Sequence, residues 1–158
     1  FFTVASCKPP VLCVVQVNPR DRAEKDTLTN LLATRECVVN IVSHVLVDAM
    51  NTSCGDYPPD VDEFVKAGLK KSLSKSVTAP GVEDALVRFE CNLREVKLIG
   101  EGAMGGSMML LDVLGIDVND AAMREGRIAN DLLDAVGKLA GDGYCTTRSN
   151  FDLARPKI

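Results

Sequence analysis

The chain has a single histidine, His44, and its six cysteines (Cys7, Cys13, Cys37, Cys54, Cys91, Cys145) contain no C-x-x-C pair. Such a set cannot complete a Cys/His zinc site, and it offers no Ser/His/Asp or Cys/His arrangement for nucleophilic catalysis. The cysteines read as reduced, mostly packing side chains of a cytoplasmic protein. Basic charge is also short. Against 22 Asp+Glu there are 18 Lys+Arg, a net charge of −4, which leaves no electrostatic footprint for a phosphodiester backbone, so nucleic acid is not expected as a partner. No apolar run approaches the roughly 20 residues a membrane helix needs, and no basic and apolar leader of secretory type is visible. What remains is a chain of 158 residues, enough for one domain that buries its own core without disulfide or metal staples.

Strand signals dominate what is there. Val11–Val17 is apolar and β-branched and follows Pro9-Pro10, which bar a helix across that junction. Residues 37–42 read as a second buried strand. From Val87 the pattern alternates strictly, with Val87, Phe89, Cys91 and Leu93 on one face; the phase then slips to Val96 and Leu98, which predicts a β-bulge at Arg94-Glu95. Met108–Val118 is a fourth strand. Between the last two lies Gly100-Glu101-Gly102-Ala103-Met104-Gly105, a literal G-x-G-x-x-G. A dinucleotide fingerprint must open a helix, whereas the following segment carries β-branched residues and an interior glycine, so the loop is expected to be a hairpin turn.

Helices decorate this core. Residues 27–35 predict a helix with Leu28, Leu31 and Leu32 on one face; Ser43-His44 is expected to cap a second that carries Val45, Leu46, Ala49 and Met50. Short helices are expected over residues 62–67, closed by Gly68, and around residues 128–135. The stretch Lys25-Asp26-Thr27-Leu28-Thr29-Asn30 puts a cation and a hydroxyl at a helix start, where unpaired N–H groups form a ready anion site. Thr27 or Asp26 would also serve simply as the N-cap of an amphipathic helix carrying Leu28, Leu31 and Leu32, with Lys25 solvated.

Taken in order, Phe1-Phe2 with Ser6 and Pro9-Pro10, then residues 25–30, then Val38-Val39-Asn40-Ile41-Val42-Ser43, Ala49-Met50-Asn51 and Gly141-Asp142-Gly143-Tyr144, the chain resembles the flavin reductase-like family of FMN-binding split-barrel proteins, flavoredoxin-like members included. The resemblance spans nearly the whole chain. It implies a mainly β fold, an antiparallel split β-barrel with peripheral helices, assembled as a homodimer whose interface helps form two flavin sites. It implies FMN as the cofactor, FAD less so, with NAD(P)H as a transient substrate that passes hydride to flavin N5, and a downstream electron acceptor as a further partner. No acid or base residue is obligatory for that transfer.

Carried over residue by residue, Lys25 and Thr27 resemble the family's phosphate ligands. Asp26 and Asn30 stand beside them at the helix entry, with Asp26 ordering the turn or a ribityl hydroxyl. Ser6 and Cys7 fall where the family has two small polar residues near phosphate and ribityl, Cys7 departing from the usual serine. Phe1 and Phe2 occupy the segment whose backbone borders the isoalloxazine ring, and Tyr144 is expected to reach a flavin site across a dimer interface. The family places a hairpin ahead of its FF segment, so residues 1–158 are expected to be one such domain lacking that hairpin, with extra pairing needed beside Val11–Val17. A non-enzymatic FMN-binding electron carrier, or an inactive flavin-binding domain, is the alternative reading.

Overall fold

The alternation that begins at Val87 builds the longest strand pair of the molecule, and the rest of the fold is arranged on it. The computed structural model describes residues 2–21 and 25–156; Phe1 lies outside the described residues. In chain order the elements are β1 (Phe2–Cys7), β2 (Pro10–Val17), α1 (Asp26–Thr34), β3 (Glu36–Asn40), α2 (Val47–Ser53, entered through a 3₁₀ turn at His44–Leu46), α3 (Glu63–Lys66), β4 (Lys71–Ser72), β5 (Gly81–Val82), β6 (Val87–Leu98), β7 (Gly106–Val118), β8 (Met123–Arg124), β9 (Arg127–Ile128), α4 (Asn130–Leu133), β10 (Val136–Lys138) and β11 (Tyr144–Thr146). The five long strands form one antiparallel sheet in the order β1-β2-β7-β6-β3.

Several expectations are met closely. The β6–β7 register shifts between Leu93 and Glu95, the bulge expected from the phase slip, and the G-x-G-x-x-G segment is the hairpin loop joining those strands. A second shift, between Glu90 and Cys91, was not legible because it leaves the apolar alternation of β6 undisturbed. On one side of β2, β1 pairs with Pro10 to Val14, and its own register slips between Val4 and Ser6. That slip breaks the two-residue period by which a strand is recognised.

Contact between two aromatic rings shows how strongly the sheet curls. Phe2 on β1 is aligned through Val14 and Met109 with Val96 on β6, three strand spacings away, about 14 Å. Phe89 lies seven residues further along β6, about 23 Å in an extended strand. Yet the Phe2 and Phe89 rings are tilted against each other with centroids 6.4 Å apart. Only a sheet coiled on itself brings them together, as in an open barrel.

The inner face of that coil is the core. Leu12 of β2, Cys91 and Leu93 of β6, and Met109 and Leu111 of β7 are all buried, and Leu28 and Leu31 of α1 pack into them. Leu32, expected on the same helix face, is 48% exposed, because the sheet takes the Leu31 side of the helix. On the outer side, residues 73–80 are tied down by carboxylates: buried Glu90 accepts from the N–H of Lys75 at 2.9 Å and of Ser76 at 2.5 Å, and Glu36 accepts from the N–H and hydroxyl of Thr78 at 2.6 Å. Loss of water pushes the Glu90 carboxyl up, but those N–H groups outweigh it and leave it below its ordinary value.

Candidate functional site

Two adjoining cavities open where the end of β2 meets the start of α1. The larger, about 630 Å³, has one wall of Lys25, Asp26, Thr27 and Asn30 and is also lined by Cys54 to Tyr57, after α2. The smaller, about 340 Å³, shares Lys25 and Thr27 and runs over Gln16, Val14, Val17 and Met109.

The first wall follows from how α1 begins. Lys25, not Thr27 or Asp26, is the N-cap, with extended φ/ψ of −105° and 150° and no side-chain cap bond. Its carbonyl accepts from the Leu28 N–H at 3.1 Å. The N–H groups of Asp26 and Thr27 therefore have no acceptor within the helix, and the helix dipole adds a partial positive charge there. Among the described residues Lys25 and Arg20 bring cations to the larger cavity, while Asp26, Asp56 and Glu63 bring carboxylates. A donor set of this kind suits a ligand with both a phosphate and hydroxyl groups: the cations and N–H groups favour phosphate oxygens, and the carboxylates accept from hydroxyls.

The β6–β7 loop makes a third wall. Asn18 donates its backbone N–H to the Gly105 carbonyl at 2.8 Å and its Nδ2 to the Gly102 carbonyl at 2.9 Å, and the Met104 N–H donates to the Pro19 carbonyl at 3.3 Å. Such a fit needs glycine. A Cβ on Gly105 would lie 2.3 Å from the Gly100 carbonyl oxygen. Gly102 has φ +70°, and Met104, which lines the larger cavity, is held at φ +63°, a conformation that non-glycine residues seldom adopt.

Of the residues singled out in the sequence, Lys25, Asp26, Thr27 and Asn30 come together at this site. Ser6 and Cys7 sit at the β1–β2 turn, paired with Val11 and Pro10, roughly 20 Å along β2 from Val17. Ser6 Oγ there accepts from the Lys8 N–H at 3.2 Å. Phe2 places its ring on Phe89, and Tyr144, in β11, lies under Lys138 Nζ at 4.4 Å from its ring centroid. Ser6, Cys7, Phe2 and Tyr144 do not line either cavity, and Phe1 lies outside the described residues. His44 begins the 3₁₀ turn before α2; Ser43, at its cap position, makes no side-chain cap bond. No group of His, Cys, Asp and Glu among the described residues could hold a metal ion.

Sequence reasoning passed over Gln16, Asn18 and Met104. Gln16 had a readable signal, since it is the single polar residue in the run Val11–Val17. Asn18 had none, because an Asn-Pro pair after a strand reads as an ordinary turn.

The family model described as a flavin reductase like domain matches residues 1–139. An uncharacterized protein of Aquifex aeolicus (strain VF5) is 37% identical over 146 residues, 91% of this chain and 72% of that protein. The crystal structure of nitrilotriacetate monooxygenase component B from Bacillus cereus superposes with a TM-score of 0.88 at 28% identity, over 97% of this chain and 76% of the other. A putative flavin reductase with a split barrel domain from Shewanella frigidimarina NCIMB 400 shares the fold with a TM-score of 0.80 at 21% identity, over 99% and 75%. No helix among the described residues is long and apolar enough to cross a membrane. With a coiled antiparallel sheet, a hairpin where a dinucleotide loop would otherwise stand, and a family match over most of its length, the chain belongs to the flavin reductase like family and has its split-barrel fold.

Proposed function

We propose that this chain is an FMN-binding oxidoreductase of the NAD(P)H:flavin reductase type, working as a cytoplasmic homodimer. The observation that carries this reading is the meeting of Lys25, Thr27 and the open N-terminus of α1 on one wall of a cavity of about 630 Å³, within a flavin reductase like domain. Lys25 supplies charge to the phosphate, and Thr27 with the free N–H groups of the first turn supplies directed hydrogen bonds. Asp26 and Asn30 order the entry and meet ribityl hydroxyls. A terminal phosphate, as in FMN, suits this end better than the bridging phosphates of FAD, because it presents more charge to one lysine and one helix end.

When bound, the flavin supplies the hydride-accepting chemistry toward a reduced nicotinamide. The chain's part is to bind and orient both, and no side chain need move a proton for it. Dimerisation is supported by the outer side of β2, where Val15 and Val17 are 42% and 50% exposed and call for a cover.

Lys25→Ala tests the reading. Loss of a charge-assisted hydrogen bond, about 1.5–3 kcal/mol, should weaken FMN about tenfold to hundredfold and spare riboflavin. Equal losses for both flavins in a titration would remove Lys25 from the phosphate. NADH consumption in the presence of FMN separates a reductase from a flavin-binding electron carrier, which binds the flavin and leaves NADH unoxidised.

A further inference from the structure

Gln16 interrupts an apolar row. On the inner face of β2 it follows Leu12 and Val14, and across the strand pair it sits opposite Ser107, itself fully buried. Gln16 is 8% exposed, and its Nε2 is buried with no hydrogen-bond partner. Of the buried side-chain atoms left unpartnered among the described residues, the others are oxygens: Asn18 Oδ1, Ser43 Oγ, Asn92 Oδ1 and Asp134 Oδ1. Gln16 Nε2 is the one nitrogen. Burying an amide donor without an acceptor is costly, and a methionine would fill the same position without that cost, so packing does not account for a glutamine here.

The place of the residue says what would account for it. Gln16 lines the smaller cavity, whose rim carries Lys25 and Thr27 and whose remaining wall is apolar. The terminal torsion of a glutamine is broad, so the partnerless Nε2 can turn to donate to a ligand in that cavity. Two residues on, Asn18 lines the larger cavity with Nδ2 committed to the Gly102 carbonyl and Oδ1 left over. The end of β2 and the residue after it thus hold a spare donor and a spare acceptor, each in the lining of a cavity that Lys25 and Thr27 also line. A phosphorylated polyol offers phosphate oxygens as acceptors and carbon-bound hydroxyls as donors together.

We propose that Gln16 is a ligand-positioning residue whose Nε2 donates to an oxygen of a phosphorylated polyol held at Lys25, the ribityl phosphate of FMN. The inference rests on the FMN reading above. The same chemistry is present in the ribose phosphates of a nicotinamide nucleotide, and the test separates the two sources. Gln16→Met, close in length and unable to donate, is titrated with FMN, riboflavin and NADH beside the wild type, and both proteins are unfolded thermally without ligand.

The FMN Kd should rise about threefold to tenfold, with the ligand-free Tm unchanged or higher, since an unpartnered buried amide has been removed. A rise confined to NADH would keep Gln16 as the donor and move its ligand to the ribose phosphate. Affinities that all stay within about twofold overturn the proposal while leaving the FMN reading intact, and a clear fall in ligand-free Tm overturns it too, because Nε2 would then have a partner in the protein. Wild type that binds none of the three sinks both. Should Gln16→Met fail to fold, Gln16→Glu keeps the shape and sets a carboxylate near the phosphate; it should weaken FMN more than riboflavin, and equal affinities to wild type overturn the proposal.

Discussion

Replacing Gly105 by alanine should damage the protein more than replacing any other glycine of the β6–β7 loop. The new Cβ would stand 2.3 Å from the Gly100 carbonyl oxygen, 2.7 Å from its carbon and 2.8 Å from the Glu101 carbonyl carbon. All three are backbone atoms, so no rotamer relieves the overlap, and the turn must open by about 1 Å to restore contacts near 3.5 Å. Overpacking costs typically about 1–3 kcal/mol where side chains can adjust, so about 3 kcal/mol or more is expected here. Gly102→Ala meets nothing within 4 Å and carries only the cost of φ +70°, about 1–2 kcal/mol. Gly100→Ala, with its nearest atom the Gly105 Cα at 3.4 Å, should cost least.

For a chain of this length each kcal/mol shifts Tm by about 2–4 °C, so Gly105→Ala should fall by about 6–12 °C. Urea titrations give the same order if the m-value is unchanged. FMN affinity should fall with stability in Gly105→Ala, because Asn18 is bonded to the carbonyls of Gly102 and Gly105. Gly105→Ala within about 0.5 kcal/mol of wild type would refute the steric reasoning. A loop that cradled a dinucleotide would instead lose nucleotide affinity in all three variants at unchanged stability.

Leu111→Ala removes a side chain that is 1% exposed at the centre of the inner face and should cost about 2–5 kcal/mol in urea unfolding; less than about 1 kcal/mol would mean that this row is not the core. Hydrogen bonding from the Arg88 guanidinium holds the Asp117 carboxyl below its ordinary value of 3.8, against a smaller opposing effect of burial. Because the value is lowered on folding, that stabilisation is complete above 3.8 and is lost as pH falls through the lowered value, so the urea midpoint should drop in acid and drop less in Asp117→Asn. Identical acid limbs would exclude this pair as a cause. Light scattering should give twice the chain mass, and a monomer that binds FMN at full strength would show the site complete within one chain.

The four strands β2, β3, β6 and β7 were readable because each kept a short-range rule. Val87 to Leu98 alternates, Val11 to Val17 is β-branched behind two prolines, and Arg94-Glu95 announces its bulge by a slip of phase. The hairpin nature of Gly100 to Gly105 was likewise decided locally, by the β-branched residues that follow. Lys25, Asp26, Thr27 and Asn30 were legible as a group since consecutive residues at a helix start share one end of one element.

Tertiary structure alone decided the rest. Curling of the sheet brings Phe2 of β1 against Phe89 of β6, three strands away in the sheet order, which no local pattern encodes. The same curl sets Ser6 and Cys7 at the far end of β2 from Lys25, although all three stand within the first 25 residues of the chain. In the sequence Gln16 is one polar residue within an apolar strand; only the tertiary structure puts it in the lining of a cavity shared with Lys25 and Thr27, its amide nitrogen unpartnered. Sequence determines which residues prefer strand, turn or helix start, because those preferences act over a few bonds. Which of them meet depends on how the sheet coils, and that is set by packing among residues as far apart as Leu12, Leu31, Leu93 and Leu111.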